Sequence, residues 1–74
     1  MEINDFITQF ADQFEETDIS EFVPETQFKT LDEWSSLTGL AILNMVKAKY
    51  GYPLTAAQLT NASTIQDLFL LINK

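Results

Sequence analysis

Trp34-Ser35-Ser36-Leu37 opens the stretch whose reading decides the fold. Behind it the sequence runs mostly apolar from Leu40 to Val46 and closes on Lys47-Ala48-Lys49-Tyr50-Gly51. The stretch reads as one helix that starts at the paired hydroxyls, continues to Tyr50 and ends at Gly51. Lys47 and Lys49 suit the negative end of the helix dipole, and Gly51 suits the left-handed position just past it. At 100° per residue, Ile42, Leu43, Val46 and Tyr50 share one side with Gly39. Leu37, Leu40, Ala41, Asn44 and Ala48 share another. A helix apolar on two sides is buried all round, or buries one side and offers the other. A chain of 74 residues leaves little room for full burial, so the expectation is one core face and one partner face.

The two serines admit two readings. A serine at a helix start caps it, its oxygen accepting a bond from a free N–H of the first turn, which is worth about 1 kcal/mol. The same N–H groups and the positive end of the dipole also suit a phosphate carried on the serine. The local sequence fits both.

Working outward, Ile3, Phe6, Ile7, Phe10, Ala11 and Phe14 recur at helical spacing, with Asp5, Asp12, Glu15 and Glu16 between them. They predict a first amphipathic helix with Asn4 as its cap and the phenylalanines in the core. No helical period persists from Thr17 to Trp34, and Pro24 forces Val23 towards an extended conformation. Ile19, Phe22, Val23, Phe28, Leu31 and Trp34 punctuate this connection, so it is expected to lie packed across the bundle. Thr30 with Glu33 forms a capping-box pattern, a competing and earlier start for the second helix. Tyr52-Pro53-Leu54 is a turn. Thr55 with Gln58 predicts a short third helix to Asn61, and Ser63 with Gln66 a last one carrying Ile65, Leu68, Phe69 and Ile72. No segment alternates like a strand. The fold expected is an all-α four-helix bundle, three main helices and one short one, with a long first loop, in one domain over residues 1–74.

Composition narrows the function. There is no cysteine and no histidine, which removes thiol chemistry, the usual general base and the commonest zinc ligand. The 46% hydrophobic content suffices for a core, so global disorder is not expected. No apolar run is long enough for a membrane span, and no signal sequence opens the chain; the expectation is a cytoplasmic protein. The formal charge of −7 disfavours nucleic acid. Ten of the eleven acidic residues fall within residues 1–33, while three of the four lysines follow Trp34. Ser36 paired with Lys47 is the only plausible nucleophile and base. Eleven residues of helix separate them by roughly 16 Å, beyond hydrogen-bond reach. The chain is therefore not expected to be an enzyme.

Four stretches, in order and at consistent spacing, resemble the acyl carrier proteins, including the related peptidyl carriers, over essentially the whole length. They are Val23-Pro24-Glu25-Thr26-Gln27-Phe28, with Phe28 eight residues before Ser36; Ser36-Leu37 at the head of a helix; Lys49-Tyr50-Gly51; and Ser63-Thr64-Ile65-Gln66-Asp67-Leu68. Ser35 stands where that family usually has aspartate, and Trp34 is bulkier than its usual residue. The resemblance implies a four-helix bundle whose Ser36 carries a phosphopantetheine arm, with the cargo held as a thioester on the arm's thiol. It implies modification by a phosphopantetheinyl transferase (holo-carrier synthase), and acyl-loading and condensing enzymes of fatty-acid or related polyketide and lipid biosynthesis as partners. It places Phe28, Leu43, Val46, Leu54, Ala62, Leu68 and Phe69 near the acyl cargo, although all seven also fit a plain core. The partner face it implies comprises Leu37, Leu40, Ala41, Asn44, Lys47 and Ala48. Met1 close to the first helix and Lys74 at the end of the last suggest a free-standing carrier, and a monomer is expected. Two alternatives stay open: an aminoacyl or peptidyl carrier, and an unmodified helical interaction module.

Overall fold

The computed structural model describes residues 2–73. Its central element, α2, spans Ser36–Tyr50, the stretch that the serines and Gly51 delimit in the sequence. Gly51 closes it at φ 66°, ψ 15°, and its N–H bonds to the Lys47 carbonyl at 3.0 Å. Gly39, Ile42, Met45 and Val46 are buried on one side of α2. Leu37 and Leu40 are 78% and 54% exposed on the other. Two-sided apolarity thus resolves into one core face and one open face.

Helix α1 spans Ile3–Ala11 and buries Phe6, Ile7, Phe10 and Ala11. Asn4 does not cap it. The helix begins two residues earlier, with Glu2 at the cap position and its carbonyl accepting the N–H groups of Asp5 (3.1 Å) and Phe6 (3.3 Å). Past Ala11 the chain tightens into turns, Gln13 to Phe10 and Phe14 to Ala11, which return the Phe14 ring to the core.

The long connection folds into two 3-10 turns, Ile19–Glu21 and Phe28–Thr30. Phe22 and Phe28 anchor it, and Leu31 and Trp34 pack against the core. Ile19 and Val23 remain outside, 64% and 46% exposed. The Thr26 hydroxyl accepts from the Val23 N–H and donates to the Glu21 carbonyl, fixing the bend at Pro24. That bend aims two carbonyls at the next free helix end: Thr26 accepts from Ile65 N–H (3.2 Å) and Pro24 from Gln66 N–H (2.9 Å). The loop therefore satisfies donors that the last helix cannot pair internally.

Helix α3 spans Ala56–Asn61 and has the expected capping box, Thr55 with Gln58. Helix α4 spans Ile65–Ile72, and its box lies one residue later than the sequence suggests, Thr64 with Asp67 rather than Ser63 with Gln66. The Asp67 carboxylate accepts from both the Ser63 and Thr64 N–H groups, at 3.0 and 3.1 Å. A charged acceptor at the positive helix end outcompetes the neutral amide of Gln66. Thr30 and Glu33 form no box at all: the Thr30 hydroxyl closes its own turn on Gln27, and Glu33 turns elsewhere.

All six phenylalanines are buried and carry the centre of the core. Phe10 contacts Phe6, Phe14, Phe22 and Phe28, and Phe6 reaches Phe69 and Tyr50 across the bundle. No polar residue is buried among the described residues, so apolar packing alone fills this interior.

Candidate functional site

The site forms where the long connection meets α2. Ser35 is extended (φ −156°, ψ 178°) and caps the helix: its Oγ accepts from the Thr38 N–H at 3.4 Å, and Thr38 Oγ1 accepts from the Ser35 N–H at 2.7 Å. The cap is therefore Ser35. Ser36 is the first helical residue, exposed, and its hydroxyl has no hydrogen-bond partner among the described residues. The intrahelical ladder begins at Gly39, whose N–H reaches the Ser35 carbonyl, so the Ser36 and Leu37 N–H groups precede it. A phosphate on Ser36 would meet those two donors and the positive end of a 15-residue helix.

Glu33 holds this corner in place. Its carboxylate accepts N–H bonds from Glu15 (3.1 Å), Glu16 (2.9 Å) and Thr17, and also the Thr17 hydroxyl. The Thr17 hydroxyl, together with those backbone donors, keeps the Glu33 carboxyl below its ordinary range. The sequence pairs Glu33 with Thr30 as a helix start; the structure instead makes Glu33 a clamp between the turn after α1 and the approach to Ser36. A contact between positions 17 and 33 has no local signature, so only the fold reveals it.

Two grooves flank the serines. The larger, about 520 Å³, runs between α2 and α3, with Ser36 at one end and Trp34, Gly39, Leu40, Leu43, Ala56 and Leu59 along it. The Trp34 ring stands edge-on to Phe28, 5.0 Å between centroids. The smaller groove, about 330 Å³, lies between Leu37, Thr38 and Ala41 on one side and Gln13, Glu15 and Glu33 on the other.

The residues that the sequence associates with a partner face do share an open side of α2. Leu37, Leu40, Asn44, Lys47 and Ala48 are exposed, and Ala41 is half-buried. Of the seven associated with cargo, Phe28, Val46, Leu54, Ala62, Leu68 and Phe69 are buried in the core cluster, and Leu43 alone lines the groove beside Ser36. The groove's other walls, Trp34, Ala56 and Leu59, went unrecognised in that reading. Gly39, a glycine inside a helix, is the sequence feature that falls on this wall, where a Cβ would meet Leu59 and Trp34 only at ordinary contact distances of 3.5 and 3.6 Å. Among the described residues no group of three or more acidic side chains is placed to hold a metal ion.

No family model, curated protein or solved structure matches the chain. What is established is the all-helical four-helix fold and, among the described residues, the lack of any helix long and apolar enough to cross a membrane.

Proposed function

We propose that this chain is an acyl carrier that takes a phosphopantetheine group on Ser36 and is itself no enzyme. The observation that carries the proposal is the division of labour between the serines. Ser35 satisfies the helix cap, which leaves the Ser36 hydroxyl exposed at the same helix start without a structural duty. Asp and Ser cap helices about equally well, so Ser35 keeps that role although the resembling family has aspartate there. In the modification, Ser36 Oγ forms a phosphodiester with the pantetheine-bearing phosphorus of coenzyme A. The bond from that phosphorus to the nucleotide breaks, and the transferase's base takes the serine proton. The bound group supplies a thiol on which an acyl cargo is held as a thioester. The chain supplies two backbone donors for the phosphate, an apolar groove beside it, and the open face of Leu37, Leu40 and Ala48 for partner enzymes.

The test is incubation with a phosphopantetheinyl transferase and coenzyme A, followed by intact mass and peptide mapping. The carrier reading expects one added phosphopantetheine at Ser36, none in Ser36→Ala, and retention in Ser35→Ala. An unmodified chain, or addition elsewhere, ends the proposal. The exposure of Leu37 and Leu40 also favours a second reading, an unmodified module that self-associates through this face. Light scattering on the unmodified chain separates the two, since the module dimerises and the carrier is monomeric.

A further inference from the structure

We infer that the long connection carries an interaction surface of its own, built on Ile19 and Val23, which takes a basic protein segment with an apolar anchor. This surface stands apart from Ser36. Neither Ile19 nor Val23 lines a groove beside the serines, and the surface needs no modification of the chain.

Both side chains are held outside by a built turn rather than by loose chain. Ile19 is 64% and Val23 46% exposed, while Phe22 between them is buried. The Phe22 N–H closes the turn on the Ile19 carbonyl at 3.0 Å, and the Asp18 carboxylate accepts the Ser20 N–H at 2.9 Å. The Thr26 hydroxyl binds the Val23 N–H and the Glu21 carbonyl, and the Pro24 and Thr26 carbonyls are tied to the start of α4. A turn of this kind keeps its ends within about 7 Å, and Val23 is one step of about 3.8 Å beyond, so the two α-carbons lie within about 11 Å. A segment fixed in this way has little freedom left to lose when a partner covers it.

Charge selects the partner. From Glu15 to Glu25 five side chains are acidic and none is basic. Asp18, Glu21 and Glu25 flank the apolar pair along the chain and are exposed. Lys29, the one basic residue before Lys47, is engaged at the Thr60 carbonyl of α3. Sharing Glu21 with this surface is a recess of about 240 Å³, with Leu31 in its wall and further carboxylates around it. The aliphatic stem of a lysine or arginine suits the Leu31 wall, with its charge left among the carboxylates. The complement of an apolar pair in a field of one sign is a surface with lysines or arginines around a leucine, isoleucine or phenylalanine. The same field repels anionic membranes and nucleic acid. Apolar contact holds such a complex, while the charges speed the encounter and reject acidic partners.

The test uses the full, unmodified, isotope-labelled chain and three synthetic helical peptides. One is made of lysine and leucine, one keeps the lysines but has glutamine for leucine, and one is made of glutamate and leucine. Amide shifts map the binding and give its strength at low and raised salt. The lysine–leucine peptide is expected to shift the amides of residues 18–26 and to bind about tenfold more tightly than the lysine–glutamine peptide. The glutamate–leucine peptide is expected not to bind. Ile19→Gln with Val23→Gln should erase the preference for leucine over glutamine. Glu21→Gln with Glu25→Gln should weaken both lysine peptides severalfold and flatten their salt dependence. All four changes fall on exposed side chains, and unaltered far-ultraviolet dichroism qualifies each variant. Equal affinity of the two lysine peptides for the parent chain, shifts centred on Leu37 and Leu40, or saturable binding of the glutamate–leucine peptide overturns the inference without recourse to any variant. Self-association of the chain alone, abolished by Ile19→Gln with Val23→Gln, would give the surface to a second copy and overturn it too. Ser36 stays unmodified throughout, so each of these results leaves the carrier reading where it stands.

Discussion

Glu33 and Thr17 are joined across the long connection, the carboxylate of one accepting both the hydroxyl and the N–H of the other. This contact ties the turn after α1 to the residues that lead into α2, and it depends on charge. The folded carboxyl titrates below its ordinary value of 4.5 because the Thr17 hydroxyl and the N–H groups of residues 15–17 favour the ionised form. Its stabilising effect is therefore fully present above the unfolded value and is lost as pH falls through the folded one. Glu33→Gln is expected to melt below the parent at pH 7, with the gap closing as pH drops under 4.5. Melting curves of both proteins from pH 7 to pH 3 check this; a gap that persists undiminished at low pH would refute the charge dependence.

The serines are expected to separate cleanly by stability. Ser35→Ala removes the cap and should cost about 1 kcal/mol, whereas Ser35→Asp should restore it. Ser36→Ala removes no cap and should stay within about 0.5 kcal/mol of the parent. Urea unfolding of the three variants gives the comparison, and equal losses at both serines would contradict the assignment of the cap.

Gly51 is the one residue described with a positive φ, at 66°. A Cβ there would meet nothing within 4 Å, so any penalty for a side chain is one of backbone conformation alone. Gly51→Ala is expected to lose about 1–2 kcal/mol, and Gly51→Asn less, because asparagine tolerates the left-handed region. Thermal unfolding in the two variants ranks them.

Phe28 is fully buried between Phe10 and Trp34. Truncating such a ring to alanine costs about 3–5 kcal/mol, against a total of about 4–11 kcal/mol expected for a domain of this length. Phe28→Ala should therefore be largely unfolded near body temperature, with its near-ultraviolet dichroism lost. A cooperative transition close to that of the parent would mean the ring is not a keystone of the core.

The open face of α2 should behave in the opposite way. Leu37 and Leu40 are more than half exposed, so the double change Leu37→Gln, Leu40→Gln should leave unfolding within about 1 kcal/mol of the parent. If the proposed carrier function holds, it should instead lower kcat/KM for modification by a phosphopantetheinyl transferase, because desolvated apolar anchors hold such complexes. Kinetics at matched stability decide the matter, and an unaltered kcat/KM would remove this face from the docking surface.

The sequence by itself determined the helices, because each rests on local chemistry. Spaced phenylalanines predict α1, Thr55 with Gln58 opens α3, and the serines and Gly51 mark the ends of α2, with Thr30 and Glu33 as a competing start that the structure does not use. It also singled out Ser36 as the residue that the carrier resemblance would modify, through its spacing from Phe28. Only the tertiary structure decided which serine caps, where Glu33 points, that Ile19 and Val23 stay outside, and that the groove beside Ser36 is walled by Trp34 and Leu59 rather than by the buried core. Those outcomes depend on competition between partners far apart in the chain. Backbone donors at residues 15–17 win Glu33 from Thr30, and Asp67 wins the last cap from Gln66, because charge and three-dimensional proximity outweigh sequence spacing.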